Sequence, residues 1–258
     1  MRPVRKVLTI ALALFLLPLA IHAALYASKD RPASFRDADW SSVGMLPPAM
    51  AQKEARLLIF TGRTGRWKGI FSVHSWVVLK PENASTWSRY DVVGWGQPVR
   101  TNGWAPDGRW FGDVPRVVAD VRGSEAAALI PKVKEAIEAY SYSNFGDYRI
   151  WPGPNSNTFT ATVLRAVPEL ATTLPANAVG KDFRKLPYVG LTDSGTGVEA
   201  SLWGLLGLKV GWIEGLELNF LGLVAGIDVR HPALKLPGFG RVGLDDGTAL
   251  AAPASAKR

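Results

Sequence analysis

The sequence predicts an α+β fold: a mostly antiparallel sheet packed by two main helices, behind one N-terminal transmembrane helix. Three observations carry that expectation. Short runs rich in β-branched and aromatic residues, such as Ile70 to Leu79 (IFSVHSWVVL), are bounded by turn residues, as strands are. Two segments, Ser124 to Tyr140 and Asn157 to Val167, repeat apolar residues at helical spacing. Val7 to Ala27 is an almost unbroken apolar run of roughly the 20 residues that cross a bilayer.

The totals narrow the chemistry. With 258 residues, 47% of them hydrophobic, the chain can bury a core. It has no cysteine, which excludes disulfides, zinc–thiolate sites and a thiol nucleophile, so any nucleophile is an oxygen or a nitrogen. The net charge of +8 weakens once divided, because Arg2, Arg5, Lys6, Lys257 and Arg258 sit at the two ends, and no nucleic-acid partner is expected. No nucleotide or metal fingerprint is present, so neither a cofactor nor a metal is expected.

At the N-terminus, Arg2, Arg5 and Lys6 precede the apolar run and should stay cytoplasmic, which exports everything after residue 28. The run is either a retained single-pass anchor, giving the protein a membrane partner, or a signal peptide cleaved near Ile21-His22-Ala23. The chain then divides into residues 1–27 as anchor or signal, 28–54 as linker, 55–245 as one exported α+β domain, and 246–258 as a disordered tail.

Along that domain, Leu57 to Phe60 reads as a strand ended by Thr61-Gly62. The loop Gly62 to Gly69 then sets three basic residues around Trp67. Ile70 to Leu79 has apolar residues on both faces, as in a central strand, with His74, Trp76 and Val78 on one face and Val73, Ser75 and Val77 on the other. Arg89 to Gly94 is a further strand, suited to hairpin pairing, on which Arg89, Asp91 and Val93 share a face. Gly96 to Pro115 has no period and reads as a long loop, and Arg116 to Val121 as a strand. Ser124 caps the first helix, which either begins near Pro131 or bends there. Ala171 to Thr196 is turn-rich, with at most one short strand. Further on, Leu208, Val210 and Trp212 alternate with polar or small residues, Glu214-Gly215 turns, and Leu216, Leu218 and Phe220 alternate again, as in a hairpin.

The joint at Tyr148 to Leu170 (YRIWPGPNSNTFTATVLRAVPEL) concentrates the chemistry. Pro152 and Pro154 exclude helix before Asn155, and Pro168 limits its far end, while Ser156, Asn157 and Thr158 are all helix-capping types. A hydroxyl there faces unpaired backbone N–H groups and the positive end of the helix dipole, which suits a nucleophile beside an oxyanion hole. Of the three histidines, His74 alone stands in a sheet interior where a fixed imidazole can act as base, and Asp91 on the neighbouring strand can orient it. The plainer alternative is that Ser156 or Asn157 only caps the helix, while His74 and Asp91 are bonded for structure.

The string WPGPNSNTF (Trp151 to Phe159), with HSWVVLK (His74 to Lys80) before it and LPGFGR (Leu236 to Arg241) after, resembles a bacterial family known as domain of unknown function 3750. More distantly, a strand histidine followed by an Asn-plus-nucleophile pair at a helix start resembles circularly permuted papain-like hydrolases and acyltransferases. Those carry cysteine where this chain has Ser156, directly after Asn155. With the N-terminal charges and apolar run read above, a bacterial source leads to the expectation of a single-pass inner-membrane protein with its C-terminal domain in the periplasm.

Two functions follow. In the first, Ser156 attacks, His74 is the base and Asp91 orients it, in a hydrolase or acyl transferase acting on envelope amides or esters of cell-wall or lipid substrates. In the second, a non-catalytic envelope domain binds glycan, lipid head groups or a protein partner. It would do so through Arg63, Trp67, Lys68, Arg100, Trp104, Arg109 and Trp110, with Trp151, Asn155 and Asn157 at the joint. A third possibility is a structural membrane protein with no site.

Overall fold

Among the described residues, 2–244, a computed structural model shows two antiparallel sheets and three α-helices. The tail 246–258 lies outside the described residues. Helix α1 (Arg2–Ala27) precedes a first sheet of β1 (Arg56–Arg63), β2 (Val73–Lys80), β3 (Ser88–Val92), β4 (Val99–Thr101) and β5 (Arg116–Arg122), ordered β4-β3-β2-β1-β5. β2 is the middle strand and is buried throughout, as its two-sided apolar sequence requires. The hairpin pairing of β2 with β3 is present, with Val77 opposite Tyr90.

The two faces of this sheet have different cores. Leu57, Ile59, Val73 and Val77 pack beneath α2 (Gly123–Glu138) and α3 (Ser156–Ala166), against Leu129, Val133, Phe159 and Val163. On the other face, Leu58, Phe60, Trp76 and Val78 meet Trp110, Val117 and a shell that includes Trp40, Trp104 and Phe111. Residues 28–54, expected as a linker, form part of that shell. Ser42 pairs with Gly108, and the Asp107 carboxylate accepts from Ser42 Oγ at 2.6 Å and from the Leu46 N–H at 3.1 Å. Burying a large apolar or aromatic side chain contributes roughly 1.5–3 kcal/mol, which is why a strap carrying Trp40, Met45 and Leu46 packs onto this face rather than staying extended in water.

Both helices differ in detail from expectation. α2 starts at Gly123 with no side-chain cap, so Ser124 is not its cap, and it runs through Pro131 at the loss of one backbone bond. α3 is capped by Asn155, whose side chain accepts from the N–H groups of Asn157 and Thr158, while Thr158 returns a bond to the Asn155 N–H.

Beyond residue 187 the chain forms a second sheet, a seven-stranded meander in sequence order: β6 (Tyr188–Leu191), β7 (Gly197–Leu202), β8 (Leu206–Gly211), β9 (Gly215–Phe220), β10 (Leu223–Asp228), β11 (Ala233–Leu236) and β12 (Gly240–Gly243). The hairpin read around Glu214-Gly215 is its centre, with Val210 opposite Leu216 and Leu208 opposite Leu218. Its faces are reversed relative to an ordinary half-solvated sheet, which turns apolar residues inward. Here Glu199, Ser201, Lys209, Glu217, Asn219 and Lys235 are buried, while Val198, Leu202, Leu208, Val210 and Leu218 are exposed.

The buried charges persist because they are paired. Lys209 Nζ lies 2.8 Å from Asp182 and 3.2 Å from Glu199, Glu217 takes Lys181 at 2.5 Å and Lys235 at 2.6 Å, and Arg184 reaches Asp193 and Glu199 at 2.8 Å each. Burial by itself would raise the Asp182 and Asp193 carboxyls, but the neighbouring cations outweigh it and hold both far below the usual carboxylate range. Burial likewise opposes the Lys209 charge, yet the surrounding carboxylates lift that ammonium well above its ordinary value.

α1 does not stand apart from the body. Phe15 meets Phe220 at 5.9 Å between ring centroids, His22 meets Phe239 at 5.0 Å, and the Tyr26 hydroxyl donates to the Arg66 carbonyl at 2.8 Å. The expected transmembrane helix is therefore not supported. One stripe of α1 is used on protein, and among the described residues no helix is long and apolar enough to cross a membrane.

Candidate functional site

Strand alternation puts His74 on the aromatic face of β2, where its ring stacks on Trp110 at 3.7 Å and 6°. Its Nε2 donates to Asp91 Oδ1 at 2.8 Å, so the expected His74–Asp91 pairing is present. Arg89 completes the group: Nε and Nη2 reach the two Asp91 oxygens at 2.8 and 2.9 Å, and its guanidinium lies 4.0 Å over the Trp76 ring. Arg89 and Asp91 are fully buried and His74 nearly so. Burial pushes the His74 imidazole below its ordinary value, against the pull of Asp91. Burial would raise Asp91, but Arg89 and the bonds from His74 and Arg89 hold it below the usual range. The result is a neutral imidazole on an ionised carboxylate, walled by indoles.

The structure does not bring Ser156 to this group. α3 packs on the opposite face of β2, where Ser75 Oγ donates to Asn157 Oδ1 at 2.9 Å and lies 2.9 Å from Thr160 Oγ1 and 3.3 Å from the Ser156 carbonyl. With β2 between them, His74 cannot take a proton from Ser156, and the expected Ser156–His74–Asp91 constellation is not formed. Asn155 and Asn157 are structural at this joint. Asn155 Nδ2 donates to the Ile150 and Val179 carbonyls, and Asn157 Nδ2 to those of Val73 and Val179.

The remaining expected binding residues do not converge on one surface either. Trp104 and Trp110 belong to the aromatic shell, and Arg109 pairs with Asp39 at 3.1 Å. Arg100 donates to the Trp95 carbonyl, and Trp151 Nε1 to that of Leu221 at 2.9 Å. Trp67 is exposed on the short 3₁₀ turn Arg66–Ile70, which also carries Lys68. Arg63 goes elsewhere, because its Nη1 donates to the Gly238 carbonyl at 2.8 Å and ties the end of β1 to the β11–β12 turn.

Beside Arg63 a cleft of about 350 Å³ opens where the first sheet meets α1 and the second sheet. Lys29, Arg31, Arg63, Arg116 and Arg241 line it, against Asp113 as the one lining carboxylate among the described residues. Burial lowers the Arg63 guanidinium below its ordinary value, Asp113 works against this, and Arg116 and Arg31 lower it further by like-charge repulsion. Polar atoms of the wall lack protein partners: His22 Nδ1, Arg31 Nε and Asn177 Oδ1 are all buried without one. A second cavity of about 420 Å³ shares Thr61, Arg116, Pro175 and Arg241 with the first and adds Arg230, His231 and Lys235. An anion in this cleft would relieve the repulsion and give Arg31 Nε a partner. Sequence reasoning singled out Arg63 but missed Arg31, Arg116 and Arg241, which are far apart in the chain and converge only through the packing of the two sheets. Among the described residues no cluster of metal-ligating side chains occurs.

Fold and site together define a two-sheet α+β protein with a basic cleft at the junction of its sheets. The chain belongs to the DUF3750 family, described as protein of unknown function, whose model matches residues 54–183. That match covers the first sheet, α2 and α3 and stops at Phe183, before β6. No curated protein and no solved structure matches the chain, and nothing found supports the likeness to papain-like proteins.

Proposed function

We propose that this chain is a non-catalytic binding domain of the bacterial cell envelope, and that its basic cleft takes a phosphate or carboxylate carried by a lipid headgroup or glycan. The observation that carries this reading is the convergence of Lys29, Arg31, Arg63 and Arg116 on the single carboxylate of Asp113, with Arg241 already paired to Asp228, around a cavity large enough for a headgroup. Arg31 and Arg63 are half-buried while Lys29 and Arg116 are exposed at the mouth, and the repulsion among these cations becomes favourable attraction with an anion present. The basic N-terminus followed by the apolar α1 sequence supports a position at a membrane surface.

Calorimetric titration of the full chain with inorganic phosphate and with a soluble short-chain phosphatidylglycerol tests this. Binding should weaken as salt is added, and Arg116→Ala and Arg31→Ala should each reduce affinity by about tenfold, the worth of one charge-assisted contact. Affinity that is unchanged in both variants, or absent for both ligands, would remove the reading.

A further inference from the structure

The outward face of the second sheet has no part in the cleft, and its composition is unusual. Strand register aligns Val198 with Val210, Val210 with Leu216, Leu216 with Ile227, Ile227 with Leu234 and Leu234 with Val242, forming one aliphatic row from β7 to β12. A parallel row carries Ala200, Leu208 and Leu218 and ends at Ala225, which is fully buried. No polar or charged side chain interrupts either row. Val198, Val210, Leu208 and Leu218 are each more than two-fifths exposed, so the face forms a contiguous apolar surface of the kind that marks an interaction site. The opposite arrangement, polar side out, is unavailable because the inward residues are locked in the buried ion network beneath.

From this we infer that the outward face of the β6–β12 sheet rests on a lipid bilayer. Protein–protein interfaces carry about one hydrogen bond per 100–200 Å², and these rows offer no side chain to make one, whereas hydrocarbon asks for none. The ends of the sheet fit the polar boundary of a membrane. Exposed Trp203 and Trp212 occupy the β7–β8 and β8–β9 turns at opposite ends of the strands, as aromatic residues do at headgroup depth. Exposed Lys185 and Arg230 flank the sheet, while the turn acids Asp193 and Glu214 are buried, so the rim presents positive charge to an anionic surface. The apolar surface continues onto α1, where Phe15 meets Phe220 and Leu12, Leu16, Leu17 and Ile21 remain exposed. Six-residue strands extend only about 20 Å, short of the ~30 Å hydrocarbon core, and β6 and β12 are open edges. The sheet therefore lies against one leaflet rather than crossing both.

Because the chain has no cysteine, Val210→Cys and Leu218→Cys give single attachment sites for an environment-sensitive fluorophore, with Trp67→Cys as an exposed control off the sheet. Adding vesicles made of equal parts phosphatidylcholine and phosphatidylglycerol should blue-shift the label at 210 and 218 and leave the label at 67 unchanged. The double variant L208D/L218D should lose vesicle co-flotation by at least about tenfold at an unchanged circular dichroism spectrum, since charge on a lipid-facing strand position is strongly disfavoured. Co-flotation that persists in this variant would assign binding to α1 or, through phosphatidylglycerol, to the basic cleft, and would overturn the inference. So would unshifted labels, or a lipid-free dimer that the same variant dissociates. The labels at 210 and 218 report on the sheet alone and soluble phosphate reports on the cleft alone, so failure of the one is separable from failure of the other.

Discussion

Ser75 Oγ donates to Asn157 Oδ1 at 2.9 Å across the face of β2 that receives α3. Residue 75 points to the helices, so residue 74 points to the indoles. The same Asn157 side chain donates to the Val73 and Val179 carbonyls at 2.9 Å each, stitching α3, β2 and the loop after the short 3₁₀ turn Pro168–Leu170 together inside the core. Asn157→Ala should destabilise the protein by about 1–3 kcal/mol, because it removes the buried bonds this side chain makes to Ser75 and to the Val73 and Val179 carbonyls. A urea midpoint within error of wild type would show that water replaces the amide.

Ser156 on this face has no imidazole to activate it. A serine-reactive fluorophosphonate should therefore label wild type and Ser156→Ala to the same extent, read by intact-protein mass spectrometry. An adduct that disappears only in Ser156→Ala would mean that another base reaches this hydroxyl.

The Arg89–Asp91–His74 group should act on stability and its pH dependence. Asp91→Asn removes the acceptor of a buried bidentate pair and leaves Arg89 uncompensated, at a cost of about 3–5 kcal/mol. His74 has a folded pKa below its unfolded value of about 6.5, so the unfolded chain binds its proton first as pH falls. Its contribution to stability is present above that pH and is lost as pH drops toward the folded value. His74→Gln should flatten the fall of the urea midpoint below about pH 6.5, and an unaltered slope would contradict the neutral buried imidazole.

In the second sheet the signs run the other way at alkaline pH. Asp182 and Asp193 have depressed folded values, so their contribution is present above the ordinary carboxylate range and is lost only in strong acid. Lys209 has a raised folded value, so its contribution is full below about 10.4 and is lost as pH rises past the folded value. Lys209→Met should cost about 3–5 kcal/mol near neutrality by leaving Asp182 and Glu199 short of a cation. Equal thermal midpoints for Lys209→Met and wild type would show the network to be dispensable.

Several features were legible in the sequence because they depend on near neighbours. Proline and asparagine chemistry located the start of α3, although the cap is Asn155 rather than the three residues after it. Alternation found β2, the β8–β9 hairpin and the two faces of each, and the Asp91 partner of His74 followed from strand adjacency. Turn-rich composition allowed one short strand between Ala171 and Thr196, and β6 is that strand.

Alternation names two faces of a strand but assigns neither to a neighbour, since its period of two looks the same from both sides. Whether α3 covered Ser75 or His74 was decided by where the intervening residues 81–155 carried the chain, and that choice separated Ser156 from its expected base. The same ambiguity governs the second sheet. Local pattern does not say which way Leu208 and Leu218 face, and Lys181, Asp182 and Arg184 arrive beneath Lys209 and Glu217 and hold the charged side in. The sequence by itself determined the strands, the cap and the paired chemistry of near neighbours. The tertiary structure decided which face each strand buries, because that depends on long-range packing and charge pairing between residues the chain order keeps apart.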